Sequence, residues 1–401
     1  MEKVKVISGV RSPFGKFGGS LKDFSTISLS ALVMNEVVRR SQIPTSEVEE
    51  VNWGVCTQSE AREVLAPVIA RQALLKAGLP DNTVSMTIDK ACCSGLASIS
   101  ESAKSIQLGE VHTSIAGGAE VMSRTPMVIR NLRWGSRLGD VVIRDPAYEI
   151  KYYDYNLVSI DASDVALEYG VTREEQDIWA YESHQKWRTA NQANKFDDEL
   201  MSVTIPKKRE ADILFQTDEF PRPTTTVEKL SQLPTVLGSK TITAGNAPGL
   251  NDGAVSVMLM SEQKAQRLGK KPIAEIISTA SVADDPRMMA TVPGLAIKKA
   301  LTKADLNIKD LDFIEINEAF AAVPLVSALI LTEGDRNQAK QLHNRMNVNG
   351  GAVAIGHPVG ASGARILLTL IHELKRRGGG YGAASICGGL AQGEAMIVKV
   401  D

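Results

Sequence analysis

Hydrophobic positions along the chain fall into two alternating patterns. Short runs rich in β-branched residues, "VKVISGV" (4–10), "VNWGVC" (51–56), "VSMTID" (84–89) and "TSIAGG" (113–118), have the length and composition of buried strands. Between them, "APVIARQALLKAG" (66–78) and "SGLASISESAKSIQLG" (94–109) space their apolar residues as helices do. Strand and helix in alternation predict an α/β fold around a covered, mostly parallel sheet.

The pattern then returns. "IAEIISTASV" (273–282) reads like the first strand. "SGLASI" at Ser94 has a counterpart in "SGARIL" at Ser362, 362 − 94 = 268 residues later. "SIAGG" at Ser114 has one in "SICGG" at Ser385, 385 − 114 = 271 residues later. Similar offsets at similar places, a helix start and a late strand, point to an internal duplication. Residues 123–242 break the rhythm, with polar loops, one amphipathic helix and few strand runs. They read as an insertion lying over a site built by the two halves, since such loops often carry binding groups. The expected division is 1–122 with 243–270 for the first half, 123–242 for the loop domain, and 271–401 for the second half.

Composition narrows the function classes. The 401 residues suffice for two or three packed units. With 45 basic and 47 acidic side chains the net charge is −2, which gives no electrostatic case for nucleic acid or a membrane surface. No apolar run approaches membrane-spanning length, and the opening residues lack the apolar core of a signal peptide. Cys56, Cys92, Cys93 and Cys387 form no CxxC pair and no zinc-type spacing. A cytoplasmic protein with reduced thiols and no metal site is therefore expected. Cys92 and Cys93 are adjacent and could bond only through a strained ring, so a disulfide between them is not expected.

Four places could carry chemistry. Cys92 and Cys93 lie at a strand-to-helix junction, where the helix dipole and free N–H groups favour a thiolate; either could equally be a small buried hydrophobe. His357, in "GHP" before a helix near Gly360, could act as a base or an oxyanion donor, or be a structural loop residue. Asn317 and Glu318 follow the strand "DFIEI"; either could cap the next helix, or the Asn317 amide could orient a water or an oxyanion. Cys387 ends a strand before two glycines, whose accessible N–H groups could form an oxyanion hole.

Taken together these motifs resemble the thiolases, a family of acyl-CoA C-acyltransferases. The resemblance is carried by CxS at Cys92-Cys93-Ser94, NEAF at Asn317-Glu318-Ala319-Phe320, GHP at Gly356-His357-Pro358 and CxG at Cys387-Gly388-Gly389. "RSPFGKFGG" (11–19), "FPRPTTTVEKL" (220–230) and "GNAPGLNDGA" (245–254) extend it over nearly the whole chain. It implies a duplicated five-layered αβαβα thiolase fold with an inserted loop domain. It also implies that Cys92 is the nucleophile, with Cys93 left to packing, and that His357 activates Cys92. One oxyanion hole would be His357 with a water held by Asn317. The other would be the backbone N–H groups of Cys92 and Gly389, with Cys387 as acid/base. No cofactor is implied, since coenzyme A and acyl-CoA are the substrates. Arg222, Ala247, Pro248, Gly249, Leu157, Val158 and Phe320 are the expected substrate and coenzyme A contacts. Homodimers or tetramers are implied as well. Ketosynthases pair the cysteine with two histidines and HMG-CoA synthases use a glutamate as acid/base; Cys387 favours a thiolase. A non-catalytic acyl-CoA-binding subunit on the same fold is the non-enzyme alternative.

The chain departs from acetoacetyl-CoA thiolases in one respect that bears on substrate. Their loop domain carries "HMG" before "TAENVA"; the corresponding stretch here is "NLVSIDASDVA" (156–166), which puts Leu157 and Val158 in place of His and Met. Pro248 also stands where some members carry a serine. An apolar acyl site suggests a 3-oxoacyl-CoA larger than acetoacetyl-CoA, branched or aromatic. One thiolase type that fits cleaves benzoylsuccinyl-CoA and works with a small zinc-containing partner subunit. Acetoacetyl-CoA remains the alternative substrate.

Overall fold

The computed structural model describes residues 2–57, 66–147, 152, 154–207 and 209–401. Residues 148–151, 153 and 208 of the expected loop region lie outside the described residues.

The first half contributes strands β1 (Val4–Arg11), β2 (Glu50–Gly54), β3 (Val84–Ile88), β4 (Thr113–Val121) and β5 (Asn251–Ser261). The second contributes β6 (Ala274–Ala283), β7 (Phe313–Ile316), β8 (Gly380–Gly388) and β9 (Gln392–Val400). The helices used below are α1 (Thr26–Ser41), α2 (Ile69–Lys76), α3 (Ser94–Leu108), α4 (Val158–Glu168), α5 (Arg173–Gln192), α6 (Val292–Ala304), α7 (Ala322–Leu331) and α8 (Val359–Arg376). The strands run β3-β2-β4-β5-β1-β6-β9-β8-β7. The halves meet where Val4–Val6 pairs antiparallel with Ala274–Ile276.

The duplication is visible in the pairing. β2–β4 is parallel, and β4–β5 and β5–β1 are antiparallel. In the second half β7–β8 is parallel, and β8–β9 and β9–β6 are antiparallel. Only a single bridge, Ile314 to Met346, stands where β3 lies in the first half.

Two expectations need correction. The sheet is mixed, not mostly parallel. Among the described residues, parallel strand pairs form where a helix carries the chain back across the sheet, as α2 does between β2 and β3. β8 and β9 instead join through a tight turn, which forces them antiparallel. The run at 84–89 is not a buried strand: β3 has one neighbour, and its Val84 and Met86 are exposed.

The layers follow from which helix faces which sheet. α1 and α2 cover the outer face of the first half; α6 covers the outer face of the second, with α7 packed on it. α3 and α8 fill the middle, each packed on the sheet and on the other. That gives five layers, αβαβα. The repeated "SG" is explained by the α3–α8 crossing. A Cβ on Gly95 would lie 2.6 Å from Gly360 O, and one on Gly363 would lie 2.6 Å from Leu96 N. Backbones this close leave no room for a side chain, and 363 − 95 is again 268.

Within 123–242, α5 begins with a capping box between Thr172 and Glu175. It is tied to the second half by Glu318. That carboxylate accepts from Trp179 Nε1 at 2.9 Å, Ser183 Oγ at 2.8 Å, Asn347 Nδ2 at 2.9 Å and Val353 N at 3.0 Å.

Candidate active site

The turn between β3 and α3 is built by local bonds. Ala91 sits at φ +48°, in the left-handed region that a residue with a side chain adopts only at a cost. Ser94 Oγ accepts from Lys90 N at 2.8 Å and donates to Ala91 O at 2.6 Å; Asp89 Oδ1 accepts from Ala91 N at 3.0 Å. Cys56 Sγ donates to Ala91 O at 3.0 Å. The two neighbouring cysteines are thereby sent in different directions. Cys92 is half-buried and lines a cleft of about 1590 Å³. Cys93 is buried in the core, with Sγ 3.4 Å from Ile386 O, and does not line the cleft.

His357, Cys387, Gly388 and Gly389 line the same cleft, with Cys56, Tyr152, Val158, Pro248, Gly249, Met289 and Phe320. His357 lies one residue before the N-cap of α8. Its backbone N–H donates to Asn251 Oδ1 at 3.0 Å, and its Nδ1 is 2.6 Å from Ser362 Oγ. Its Nε2 is buried with no hydrogen-bond partner. Cys387 lies near the end of β8, opposite Gly393. After Gly389 the chain passes through Leu390 and Ala391, both at positive φ.

Asn317 does not line the cleft, although Ala319 and Phe320 just after it do. Its amide Oδ1 and Nδ2 are both buried and unpartnered, which is the condition under which a bound water is worth having. Neither Asn317 nor Glu318 caps α7; the N-cap is Ala321, without a side-chain bond. Glu318 is committed to its four donors instead.

Burial of the sulfur runs against the expectation of a resident thiolate. Burial pushes the Cys92 thiol up to about 12, and the Glu120 and Asp89 carboxylates add to the rise; its own backbone N–H opposes it. The helix start is therefore outweighed by desolvation. Burial also raises Cys387, and the neighbouring Cys92 adds to it. Burial lowers His357 to about 3, helped by Arg365, so its ring is neutral.

The expected coenzyme A contacts divide. Val158, Pro248, Gly249 and Phe320 line the cleft that holds Cys92. Arg222 and Ala247 line a separate cavity of about 170 Å³ with His184 and Lys229. There the Arg222 guanidinium lies 5.1 Å over the Phe220 ring. Leu157 is half-buried, caps α4 and lines neither cavity.

Sequence reasoning missed several residues around the cleft. Tyr152 sits so close over Gly389 that a Cβ there would collide with its hydroxyl. Glu120 is buried, accepts from Cys56 N, Thr57 N and Gly360 N at 2.9, 2.9 and 3.1 Å, and is raised by burial to about 7. A carboxylate two residues after the "GG" of a late strand was the available signal for Glu120. Tyr152 had none. Among the described residues no group of three or more His, Cys, Asp or Glu is placed to hold a metal, and no helix is long and apolar enough to cross a membrane.

A duplicated five-layer α/β frame with three cysteines and a histidine converging on one cleft defines the class of protein to which this chain can be compared. The thiolase N-terminal domain matches residues 4–263 and the thiolase C-terminal domain residues 270–400. The chain belongs to the thiolase family. It is 42% identical to an acetyl-CoA acetyltransferase of Cupriavidus necator over 406 residues, covering 100% of both chains. It is 39% identical to one of Syntrophomonas wolfei, covering 99% of each. Among solved structures it superposes on the Bacillus anthracis acetyl-CoA acetyltransferase with a TM-score of 0.92 at 39% identity, over 100% of this chain and 99% of that one. The human mitochondrial 3-ketoacyl-CoA thiolase in complex with CoA gives 0.91 at 36%, over 100% and 98%. The protein is an acyl-CoA acyltransferase.

Proposed function

We propose that the chain cleaves a 3-oxoacyl-CoA with coenzyme A, or runs the reverse condensation, through an acyl group on Cys92. The observation that carries this is the convergence of Cys92, His357, Cys387 and Gly389 on one cleft. In the cleavage direction Cys92 sulfur bonds to C3 while His357 Nε2 takes its proton. Because the thiol is raised and the imidazole is neutral, this transfer accompanies attack and does not precede it. The C2–C3 bond then breaks and Cys387 protonates C2, releasing acetyl-CoA. Coenzyme A sulfur next takes the acyl group from Cys92; its proton returns to Cys387, and Cys92 recovers its own from His357. The developing oxyanions would be met by the Cys92 and Gly389 N–H groups, and by His357 with a water on Asn317.

Two observations divide on acyl size. Val158, Phe320 and Met289 on the cleft wall favour a chain larger than acetoacetyl. The relatives named acetyl-CoA acetyltransferase favour acetoacetyl-CoA at least as well. Residues 123–242 act as the cover of the coenzyme A site, with Pro248 and Gly249 beside the pantetheine and Arg222 toward the nucleotide. The uncovered edge strand β3 supports a homodimer, which sedimentation would detect.

The test is thiolysis of a panel from acetoacetyl to long-chain and aryl 3-oxoacyl-CoA esters, by wild type, Cys92→Ala and Cys93→Ala. Activity lost only in Cys92→Ala is the expected result, and the preferred ester sets the substrate. Loss in Cys93→Ala with Cys92→Ala intact would sink the assignment of the nucleophile.

A further inference from the structure

We infer that Ser362 is a positioning residue that fixes which ring nitrogen of His357 carries the proton. The inference builds on the reading of His357 as the base for Cys92, because only one tautomer can serve in that role.

Ser362 stands in the first turn of α8, five residues after His357. Its Oγ is 2.6 Å from His357 Nδ1 and 3.0 Å from Pro358 O, the carbonyl four residues before it. A helical serine commonly donates its hydroxyl proton to that carbonyl. With the proton spent there, Ser362 Oγ meets Nδ1 with a lone pair. The nitrogen facing it must then be the one bearing hydrogen. Nε2 is left bare, and it is the ring atom that is buried and unpartnered in a residue lining the cleft. In the opposite tautomer Nε2 would present a hydrogen and could not accept the Cys92 proton.

The rest of the surroundings hold the ring in place without competing for Nδ1. Asn251 Oδ1 takes the His357 backbone N–H, and Asn251 Nδ2 donates to Gly15 O at 2.9 Å. Gly356, at φ +106°, lets the chain pass against the Asn251 side chain where a Cβ would collide. Burial keeps the imidazole neutral, so the position of one proton, not the charge, is what the serine sets.

The duplication supplies a second, independent argument. Ser362 is the counterpart of Ser94 at the offset of 268. Ser94 Oγ likewise donates to a carbonyl of the preceding turn while accepting from an N–H, and so shapes the segment bearing Cys92. Both serines use one hydroxyl in the same donor-and-acceptor way, once on a backbone N–H and once on an imidazole.

The experiment is ring-nitrogen NMR of ¹⁵N-histidine-labelled full-length protein, comparing wild type, Ser362→Ala and Ser362→Thr, with His357→Asn to assign the signal. The expected wild-type pattern is a protonated Nδ1 and a bare Nε2. Ser362→Ala should lose that pattern, and kcat should fall roughly 10²-fold with KM little changed. Ser362→Thr should restore both. A wild-type proton on Nε2, or an unchanged ring pattern in Ser362→Ala, overturns the inference. Should Ser362→Ala fail to fold, the wild-type and Ser362→Thr spectra decide it. If the pattern is as expected but His357→Asn acylates Cys92 at the wild-type rate, the base role falls and the tautomer assignment stands.

Discussion

The starts of α3 and α8 are the same device with different contents. Each is an "SG" in which serine ties down the preceding turn and glycine lets the two helices cross. At the first start the turn carries Cys92; at the second it carries His357. The position equivalent to Cys92 is Gly360 (92 + 268), whose N–H goes to Glu120 and whose carbonyl lies on Gly95. The late strands differ in the same manner. Cys387 corresponds to Ala116 (116 + 271); both are buried, but β4 runs on past its glycines to Val121 and Ala116 lines no cleft. β8 stops at Gly388, so the next residues open onto the cleft. The lesson is that duplication supplied two equivalent frames, and that the candidate site falls where one copy ended its strand early or exposed its turn.

The comparison can be broken at several points. The largest effect is expected from Cys92→Ala, which should lower kcat by ~10³-fold or more because it removes the sulfur proposed to carry the acyl group. Steady-state thiolysis measures it, and a smaller loss would mean the exposed turn is not where the covalent step occurs. Next is Gly363→Ala, which places a methyl against the backbone of Leu96. It should cost about 3 kcal/mol of stability in denaturant unfolding. A neutral result would remove the crossing as the reason for the repeat.

Glu120 sharpens the comparison, because its carboxylate joins the Cys56–Thr57 turn to the start of α8. Its folded value, about 7, lies above the usual 4.5, so the folded state binds the proton more tightly. Its contribution to stability is therefore full below pH 4.5 and is lost as pH rises through 7, by on the order of 2–3 kcal/mol. Unfolding followed from pH 4.5 to 8 should show this decline in wild type and a flatter profile in Glu120→Gln. An equal slope in both would assign the effect elsewhere. The smallest effect is expected from Cys93→Ala, which removes one buried sulfur. About 1 kcal/mol of stability should be lost, with activity close to wild type.

Much of this was legible in the residues. The first motif lies more than two hundred residues before the other three, yet each sits at a strand end or a helix start, and the repeat offsets named the frame that unites them. Strand direction was less legible, because it depends on whether a helix or a tight turn joins neighbours, as at β8–β9. The Cys92 thiol ran against expectation because burial is a property of the surrounding protein, not of the local helix start. Arg222, Ala247, Pro248 and Gly249 were all expected to meet coenzyme A; Arg222 and Ala247 line one cavity, and Pro248 and Gly249 line another. Ser362 was in plain view as a repeat marker; its partner was hidden because a hydrogen bond across five residues leaves no periodic trace.

The placement of α3 and α8 in one shared layer has a consequence for synthesis on the ribosome. The first half's sheet is complete in sequence at Ser261, but the helix that seals its inner face ends at Arg376, which is 376 − 261 = 115 residues later. At roughly 5–20 residues per second that is a wait of about 6–23 s. Throughout that interval the nascent chain carries the apolar flank of α3 without its permanent neighbour. The first half cannot finish folding as a separate unit, and the last quarter of the chain is what releases it from that exposed state.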